Sequence, residues 1–358
     1  MQEHVGKSGE LGVIIVLYRS ADVIGACLSS VIEASPAVSR IVLVDNASPD
    51  ESVSIAEETA LGLGVNVRSD GAGANMDGCE GLEVDIIRAG ANLGFAGGVN
   101  IGIDLLLQDA GIDFFWVLNP DCELAPGAAE QVLATARDAS GEPGFALLGT
   151  RVIYHEGGHI QSDGGVACRW TGRCRNLNQG CLPDDAILYA DDRIDFISGA
   201  SMIASRGFID AVGLLPEDYF LYYEEVAWAA DRGDWPLIRC LDAAVLHHGG
   251  TAIGSGGPNR APSALSNYFN FRNRMRFVRR TRPWVMAIAY TYAILKILQT
   301  LWHREWRSAN AAFRGMHELT PPHDVASAIG AEAHERAFAK QAFDGSRRTS
   351  SRYRQSPA

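Results

Sequence analysis

The chain has 358 residues, 31 Lys and Arg against 43 Asp and Glu, and 47% apolar side chains. That length suits one large α/β domain with an appendage or two smaller domains, and the apolar share excludes wholesale disorder. A formal charge of −12 argues against a nucleic-acid partner, because a general binder needs a positive surface to displace counterions from phosphates.

Residues 1–10 are polar and carry acids, so they do not read as a secretory signal. LGVIIVL at 11–17 is a short β-branched apolar run and predicts a buried strand. Tyr18, Arg19 and Ser20 follow, and the spacing of Ile24, Leu28 and Val31 predicts a helix ending near Pro36. A second strand, 40–45, stops at the loop signal Asn46-Ala47-Ser48-Pro49-Asp50, which leads into another helix. Residues 62–82 are Gly-rich without a period and read as a surface insertion. A third strand, 84–88, runs into AGANLGFAGGVNIGIDLLL, a loop and then a helix. A fourth, 113–119, stops at Asn119-Pro120-Asp121. Strands alternating with helices imply a mostly parallel sheet with helices on both faces, which binds ligands beyond the carboxyl ends of its strands.

From about 145 to 255 the strands shorten and the turns become rich in Gly and Asp, as in a second half that completes the sheet. Residues 262–282 hold six arginines (272, 274, 276, 279, 280 and 282) in a helical setting with aromatics, and 284–301 is nearly all apolar. The composition beyond 340 predicts a disordered tail. The spacings Cys168-x5-Cys174-x6-Cys181 fit neither a zinc pair nor a disulfide framework, and favour a reducing compartment.

Several polar groups fall at predicted strand ends. Asp45 can accept hydrogen bonds from a base or ribose, or serve as the Asx-turn of its own loop. Asn92, Gly94, Phe95 and Asn100 surround a helix start whose free N–H groups suit a phosphate or sugar hydroxyl, although tight helix–sheet packing explains the glycines equally well. Asp121 can supply one oxygen to Mg2+ or Mn2+, which typically take one or two protein carboxylates. Glu224 and Glu225 lie behind Tyr219, Phe220, Tyr222 and Tyr223, where desolvation and mutual repulsion raise one pKa as a general base requires. His247, at another strand end with glycines behind it and Thr251 and Ser255 further on, can ligate the same metal.

Read together and in order, these pieces resemble family 2 glycosyltransferases of the GT-A fold, particularly bacterial rhamnosyltransferase-like members. The segments that carry the likeness are IIVLYRS, VDNASPDES, ANLGFAGGVNIGI, FFWVLNPDCEL, FISGASMIASRGFIDAVGLLPEDYFLYYEE, and LHHGGTAIGSG followed by NYFNFRNRMRF. The resemblance implies a Rossmann-like sheet over residues 1–258, with a nucleotide-sugar half at about 11–125, an acceptor half at about 145–258 and a C-terminal helical extension at 259–320. It places the donor nucleotide near Tyr18, Asp45, Asn46, Asn92, Gly94, Phe95, Asn100 and Asn119. It makes Asp121 and His247 the holders of Mg2+ or Mn2+, with His248 next in line, puts Ser198-Gly199-Ala200 on the acceptor side, and makes Glu225 the catalytic base beside Glu224. Two departures stand out. Relatives continue the acidic pair as E-[DE]-x-D-W-x-x-R, and here those later positions are Ala227 and Asp231, with Trp228 retained.

The implied chemistry is inverting transfer from a nucleotide-diphosphate sugar to a hydroxyl of a saccharide or lipid-linked saccharide in cell-surface polysaccharide synthesis, with rhamnose as the donor sugar the resemblance suggests. The apolar 284–301 run, with Lys296 inside it, predicts an interfacial helix whose neighbouring arginines meet anionic headgroups, and hence a cytoplasmic enzyme peripheral to the inner face of the membrane. A packed C-terminal helix with a solvated basic face is the plainer alternative. Two other functions compete with transfer: a catalytically impaired sugar-binding homologue, suggested by Ala227 and Asp231, and a sugar nucleotidyltransferase. The latter lacks the Gly-rich basic loop it would want after the first strand.

Overall fold

The computed structural model describes residues 9–69, 82–249 and 261–338. Residues 1–8, most of the Gly-rich stretch (70–81), the segment 250–260 with Thr251 and Ser255, and the tail expected beyond 340 lie outside the described residues.

In chain order the elements are β1 (Glu10–Leu17), α1 (Ile24–Glu33), β2 (Arg40–Asp45), α2 (Ser52–Gly62), β3 (Asn66–Ser69), β4 (Glu83–Arg88), α3 (Gly94–Leu106) and β5 (Ile112–Leu118). There follow β6 (Cys122–Leu124), α4 (Ala128–Asp138), β7 (Leu147–Tyr154), β8 (Ile160–Ser162), β9 (Gly165–Ala167), β10 (Cys174–Asn176), β11 (Ser201–Ser205), α5 (Arg206–Val212), α6 (Glu224–Ala230) and β12 (Leu237–His247). The C-terminal part is helical: α7 (Ala264–Thr281), α8 (Met286–Trp302), α9 (Trp306–Met316), α10 (His323–Ala328) and α11 (His334–Phe338).

The main sheet runs β3-β4-β2-β1-β5-β11-β7-β12-β6, with β8 paired on β7. The first five strands are parallel, whereas β11 is antiparallel to both its neighbours and β6 is antiparallel to β12. Parallel neighbours require crossovers, and α1, α2 and α3 supply them. Alternation along each strand divides the core in two. Leu11, Val13, Ile15 and Leu17 join Ile41, Leu43 and Trp116 under α1 and α4. Ile14, Val16, Val42, Val44 and Phe115 pack on the other face with α3 and α6. The mostly parallel α/β sheet of the GT-A fold is therefore present, with helices on both faces. It also includes β3, a strand inside the stretch expected to be a structureless insertion.

One expectation needs correction. The arginines of α7 do not form a headgroup-facing stripe: Arg272, Arg274 and Arg276 are buried, because α7 is covered by α8 and α9 and by the loop before α6. Of the two readings open for the α3 glycines, tight packing against β1 describes Gly98 and Gly102. A methyl group on Gly102 would sit 2.5 Å from Ile14 Cγ2, so only glycine allows α3 to lie this close to β1.

Helix α8 packs through Ala289, Ala293 and Ile297, while Trp284, Ile288, Leu295, Leu298 and Trp302 are exposed. Residues 283–302 form the one helix, among the described residues, that is long and apolar enough to cross a bilayer.

Candidate active site

Strands β2, β1 and β5 lie side by side, and their carboxyl ends present Asp45, Tyr18 and Asn119 in that order. Two strand spacings, about 10 Å, separate the outer two. One Asp45 carboxylate oxygen accepts the Ser48 N–H at 2.8 Å and closes the turn after β2. Tyr18 donates its hydroxyl to the Ala328 carbonyl at 3.2 Å, so α10 returns to the nucleotide half of the sheet.

The start of α3 differs from expectation. Asn46 Oδ1 accepts the Leu93 N–H (2.8 Å), and its Nδ2 donates to Asn92 Oδ1 (3.1 Å) and the Gly94 carbonyl (3.0 Å). Asn92 Oδ1 also accepts the Gly94 N–H (3.0 Å), its Nδ2 donates to the Ile329 carbonyl (3.3 Å), and the Phe95 N–H reaches the Phe220 carbonyl (2.9 Å). The N–H groups of Leu93, Gly94 and Phe95 are thus already paired, and a helix start filled in this way offers them to no phosphate. Asn100 is a clamp: its amide donates to the Leu215 carbonyl and to Glu217, and accepts the Leu215 N–H. Asn46, Asn92 and Asn100 accordingly shape the loops beside the sheet, and their amides are committed within the protein.

After β5 the chain turns through Asn119-Pro120-Asp121 into β6, which pairs with the end of β12 so that Cys122 faces His247. His247 Nε2 lies 3.0 Å from Asp121 Oδ1, with both residues buried. His247 Nδ1 lies 2.6 Å from Gln161 Oε1, and that acceptor assigns the ring proton to Nδ1. Nε2 is left with a lone pair facing a carboxylate, with Asn119 Nδ2 3.5 Å away. Two electron-rich atoms at 3.0 Å repel unless a proton or a cation lies between them. This donor set, with its imidazole oriented by an amide behind it, fits a divalent ion. The Cys122 thiol is within the same cluster, but burial, reinforced by the Asp121 charge, pushes it well above its ordinary range, and it donates to the Ala200 carbonyl. It stays a thiol. His248 points elsewhere: its Nε2 meets Glu123 at 3.0 Å and its ring stacks on His155.

The acid pair opens α6. Glu224 is buried, with Oε2 unpaired, and burial followed by the charge of Glu225 raises its pKa. Glu225 is half-buried, and desolvation likewise raises it, to about 7. A methyl group on Gly199 would touch Phe95 Cε1 at 3.6 Å and Glu225 Cγ at 3.9 Å, so Gly199 lies between these two side chains. The same turn accepts the Asn119 N–H on the Ala200 carbonyl at 3.0 Å. Ser198-Gly199-Ala200 therefore joins the Asp121 corner to Glu225.

Sequence reasoning missed what holds the acid pair. Phe220, Tyr222 and Tyr223, directly before it, all have positive φ, at a cost of about 1–3 kcal/mol each for non-glycine residues. Asn273 Nδ2 donates to the carbonyls of Tyr219 (2.9 Å), Leu221 (2.7 Å) and Tyr222 (2.8 Å), and Arg272 Nη2 donates to that of Tyr219 (2.6 Å). The signal in the sequence is the polar pair Arg272-Asn273 inside an aromatic helix. The departure at Asp231 is also resolved, since this carboxylate forms an ion pair with Arg280 on α7.

Residues 12–164 match the profile of glycosyl transferase family 2. A hexosyltransferase of low-salt glycan biosynthesis from Haloferax volcanii is 23% identical over 277 residues, covering 74% of each chain. The N-acetylglucosaminyl-diphospho-decaprenol L-rhamnosyltransferase of Mycobacterium tuberculosis is 25% identical over 260 residues, 66% of this chain and 76% of the relative. Among solved structures, a mannosyltransferase from Pyrobaculum calidifontis, in complex with GDP-Man and Mn2+, superposes with a TM-score of 0.49 at 15% identity, over 86% of this chain and 87% of its own. The family match over β1 to β8, together with relatives that are both sugar transferases, makes this chain a glycosyltransferase whose residues 12–164 carry the family 2 pattern on a GT-A sheet.

Proposed function

We propose that the chain carries out inverting, metal-dependent transfer of a sugar from a nucleotide-diphosphate donor to a hydroxyl of a saccharide or lipid-linked saccharide. The observation that carries this reading is the Ser198-Gly199-Ala200 turn, which bonds to the Asn119–Cys122 corner on one side and lies next to Glu225 on the other, where a methyl group on Gly199 would meet Glu225 Cγ. Glu225 takes the acceptor's proton as the acceptor oxygen attacks the anomeric carbon. The bond from that carbon to the diphosphate oxygen breaks on the opposite face, so the configuration inverts. A base with a pKa near 7 is matched to this task at neutral pH. Glu224, buried and pushed above the ordinary carboxylate range by desolvation and by the charge of Glu225, positions its neighbour.

Asp121 and His247 would hold Mg2+ or Mn2+, and such an ion neutralises charge on a diphosphate. Asp45 and Tyr18 bound the nucleoside side, and the Phe95 ring shields the space beside Glu225 from water. The mycobacterial relative, named for a diphospho-decaprenol acceptor and a rhamnosyl donor, supports a lipid-linked acceptor and a deoxy-sugar donor in glycan synthesis. The exposed apolar row of α8, preceded by Trp284 and ending at Trp302, supports attachment along the inner surface of the cytoplasmic membrane. The test is incubation of purified protein with a panel of nucleotide sugars and Mg2+ or Mn2+, reading nucleotide diphosphate release. Pyrophosphate release, or binding without turnover, would overturn the proposal.

A further inference from the structure

Arg274 is only 7% exposed, yet its Nε and Nη2 are sealed from solvent without a hydrogen-bond acceptor. No carboxylate among the described residues pairs with it. Its guanidinium lies over two rings, 4.5 Å from the centre of Phe271 and 5.3 Å from that of Tyr292. Lys296 Nζ lies 5.8 Å from the centre of the same Tyr292 ring, so two cations share one aromatic ring. Burial draws the Arg274 guanidinium below its ordinary range. The Tyr223 and Tyr292 hydroxyls and the Cys174 thiol act in the opposite sense, and the charge of Arg173 adds to the effect of burial. A buried cation held only against aromatic rings, with no counter-ion, remains costly, on the order of several kcal/mol, and an anion arriving from outside would offset that cost.

The surroundings indicate which anion. Arg274 packs under the turn that joins β9 to β10, where a methyl group on Gly172 would lie 3.3 Å from Arg274 Cγ. That turn carries exposed Arg169, Trp170 and Arg173. Immediately after the last residue of α7, Arg282 Nη1 is likewise buried without an acceptor. Tyr223 ties the turn to the acid pair, donating its hydroxyl to the Gly172 carbonyl at 2.9 Å one residue before Glu224. The charges of Glu225 and Arg274 both act on Cys174. The cationic cluster is thus on the Glu225 side of the molecule, in the acceptor half, and Tyr292 connects it to α8 with its exposed apolar row.

We propose that Arg274, with Arg173 and Arg282, binds the phosphate groups of an acceptor whose saccharide is carried on a prenyl-type lipid diphosphate, the hydrocarbon lying along Ile288, Leu295 and Leu298. This deepens the glycosyl-transfer reading and rests on it. An anion held beneath Tyr223 sets the sugar attached to it beside Glu225, and a chain leaving past Tyr292 meets apolar surface.

The test measures binding of farnesyl diphosphate and of farnesol to the full chain by tryptophan fluorescence. EDTA is present so that the Asp121 corner holds no ion. The wild type is expected to prefer the diphosphate. Arg274→Gln should weaken that binding by about tenfold or more, as loss of a charged hydrogen bond predicts. Arg274→Lys should retain part of it, and Arg173→Ala, on the surface, should lose about threefold, as loss of a partly screened contact predicts. Arg280→Gln, whose partner is Asp231, should bind as the wild type does. Farnesyl diphosphate affinity unchanged in both Arg274→Gln and Arg173→Ala would overturn the proposal. So would a loss confined to phosphatidylglycerol vesicles, which would assign the arginines to bilayer headgroups. Nucleotide diphosphate release by Glu225→Gln, measured alongside, reads the transfer reaction separately, so the pocket can fail while that reaction stands.

Discussion

The side-chain amide of Asn273 donates to the carbonyl of Tyr222 at 2.8 Å, and to those of Tyr219 and Leu221 as well. One amide thereby holds the backbone of a segment with three positive-φ residues, immediately before the acid pair. Asn273→Ala would leave those carbonyls short of donors and allow the segment to relax. The expected result is a loss of about 1–3 kcal/mol in unfolding free energy and a fall in kcat larger than any change in donor affinity, checked by denaturant titration and steady-state kinetics.

Glu225→Gln should lower turnover about 10²–10⁴-fold while donor binding stays near normal, because the variant cannot accept the acceptor's proton. Glu224→Gln should cost far less, since burial and the charge of Glu225 already favour the neutral form of this residue. Near-equal losses in the two variants would count against the division of roles.

Activity should rise with pH through about 7 as Glu225 ionises. Stability should move the other way. The folded chain keeps protons on Glu224 and Glu225 that the unfolded chain releases above about 4.5, so it binds more protons in this window and loses stability as pH rises through it. Melting temperatures across this range in wild type and in Glu224→Gln measure the contribution, and the variant should show the flatter profile.

Binding of Mn2+, followed by the electron paramagnetic resonance of the free ion, should be lost in Asp121→Asn and in His247→Ala. Gln161→Ala leaves both ligands but frees the imidazole to rotate, and should weaken the ion about 10–100-fold. His248→Ala, paired with Glu123 and His155, should bind Mn2+ as the wild type does.

Gly94 has φ +77°, and a methyl group on it would lie 2.5 Å from the Phe220 carbonyl oxygen. Gly94→Ala therefore meets both an unfavourable backbone region and a backbone clash. A loss of more than about 2 kcal/mol is expected by thermal unfolding, with Glu225 displaced because Phe95 and Phe220 share the broken contact.

The sequence by itself determined the strands, their mostly parallel order and the clustering of polar groups at their ends. The hydrophobic period of 2 within strands and 3.6 within helices is a local signal, and β1, β2, β4, β5 and α3 follow it. It also put Asp121 and His247 forward as partners, by residue type and by position after a strand. Tertiary structure alone decided which groups face one another. Asn46, Asn92 and Asn100 were legible as amides beside a helix start, but their partners lie up to 237 residues away. The arginines of α7 looked like a surface stripe because charge in a sequence carries no depth. Arg272, Arg274 and Arg276 are buried because α8, α9 and the strained loop close over them, whereas Arg279 and Arg280 stay exposed, and that cover was encoded 10 to 60 residues away. Local propensity can be read along the chain, whereas pairing between remote segments depends on the sheet order and helix docking that bring them together.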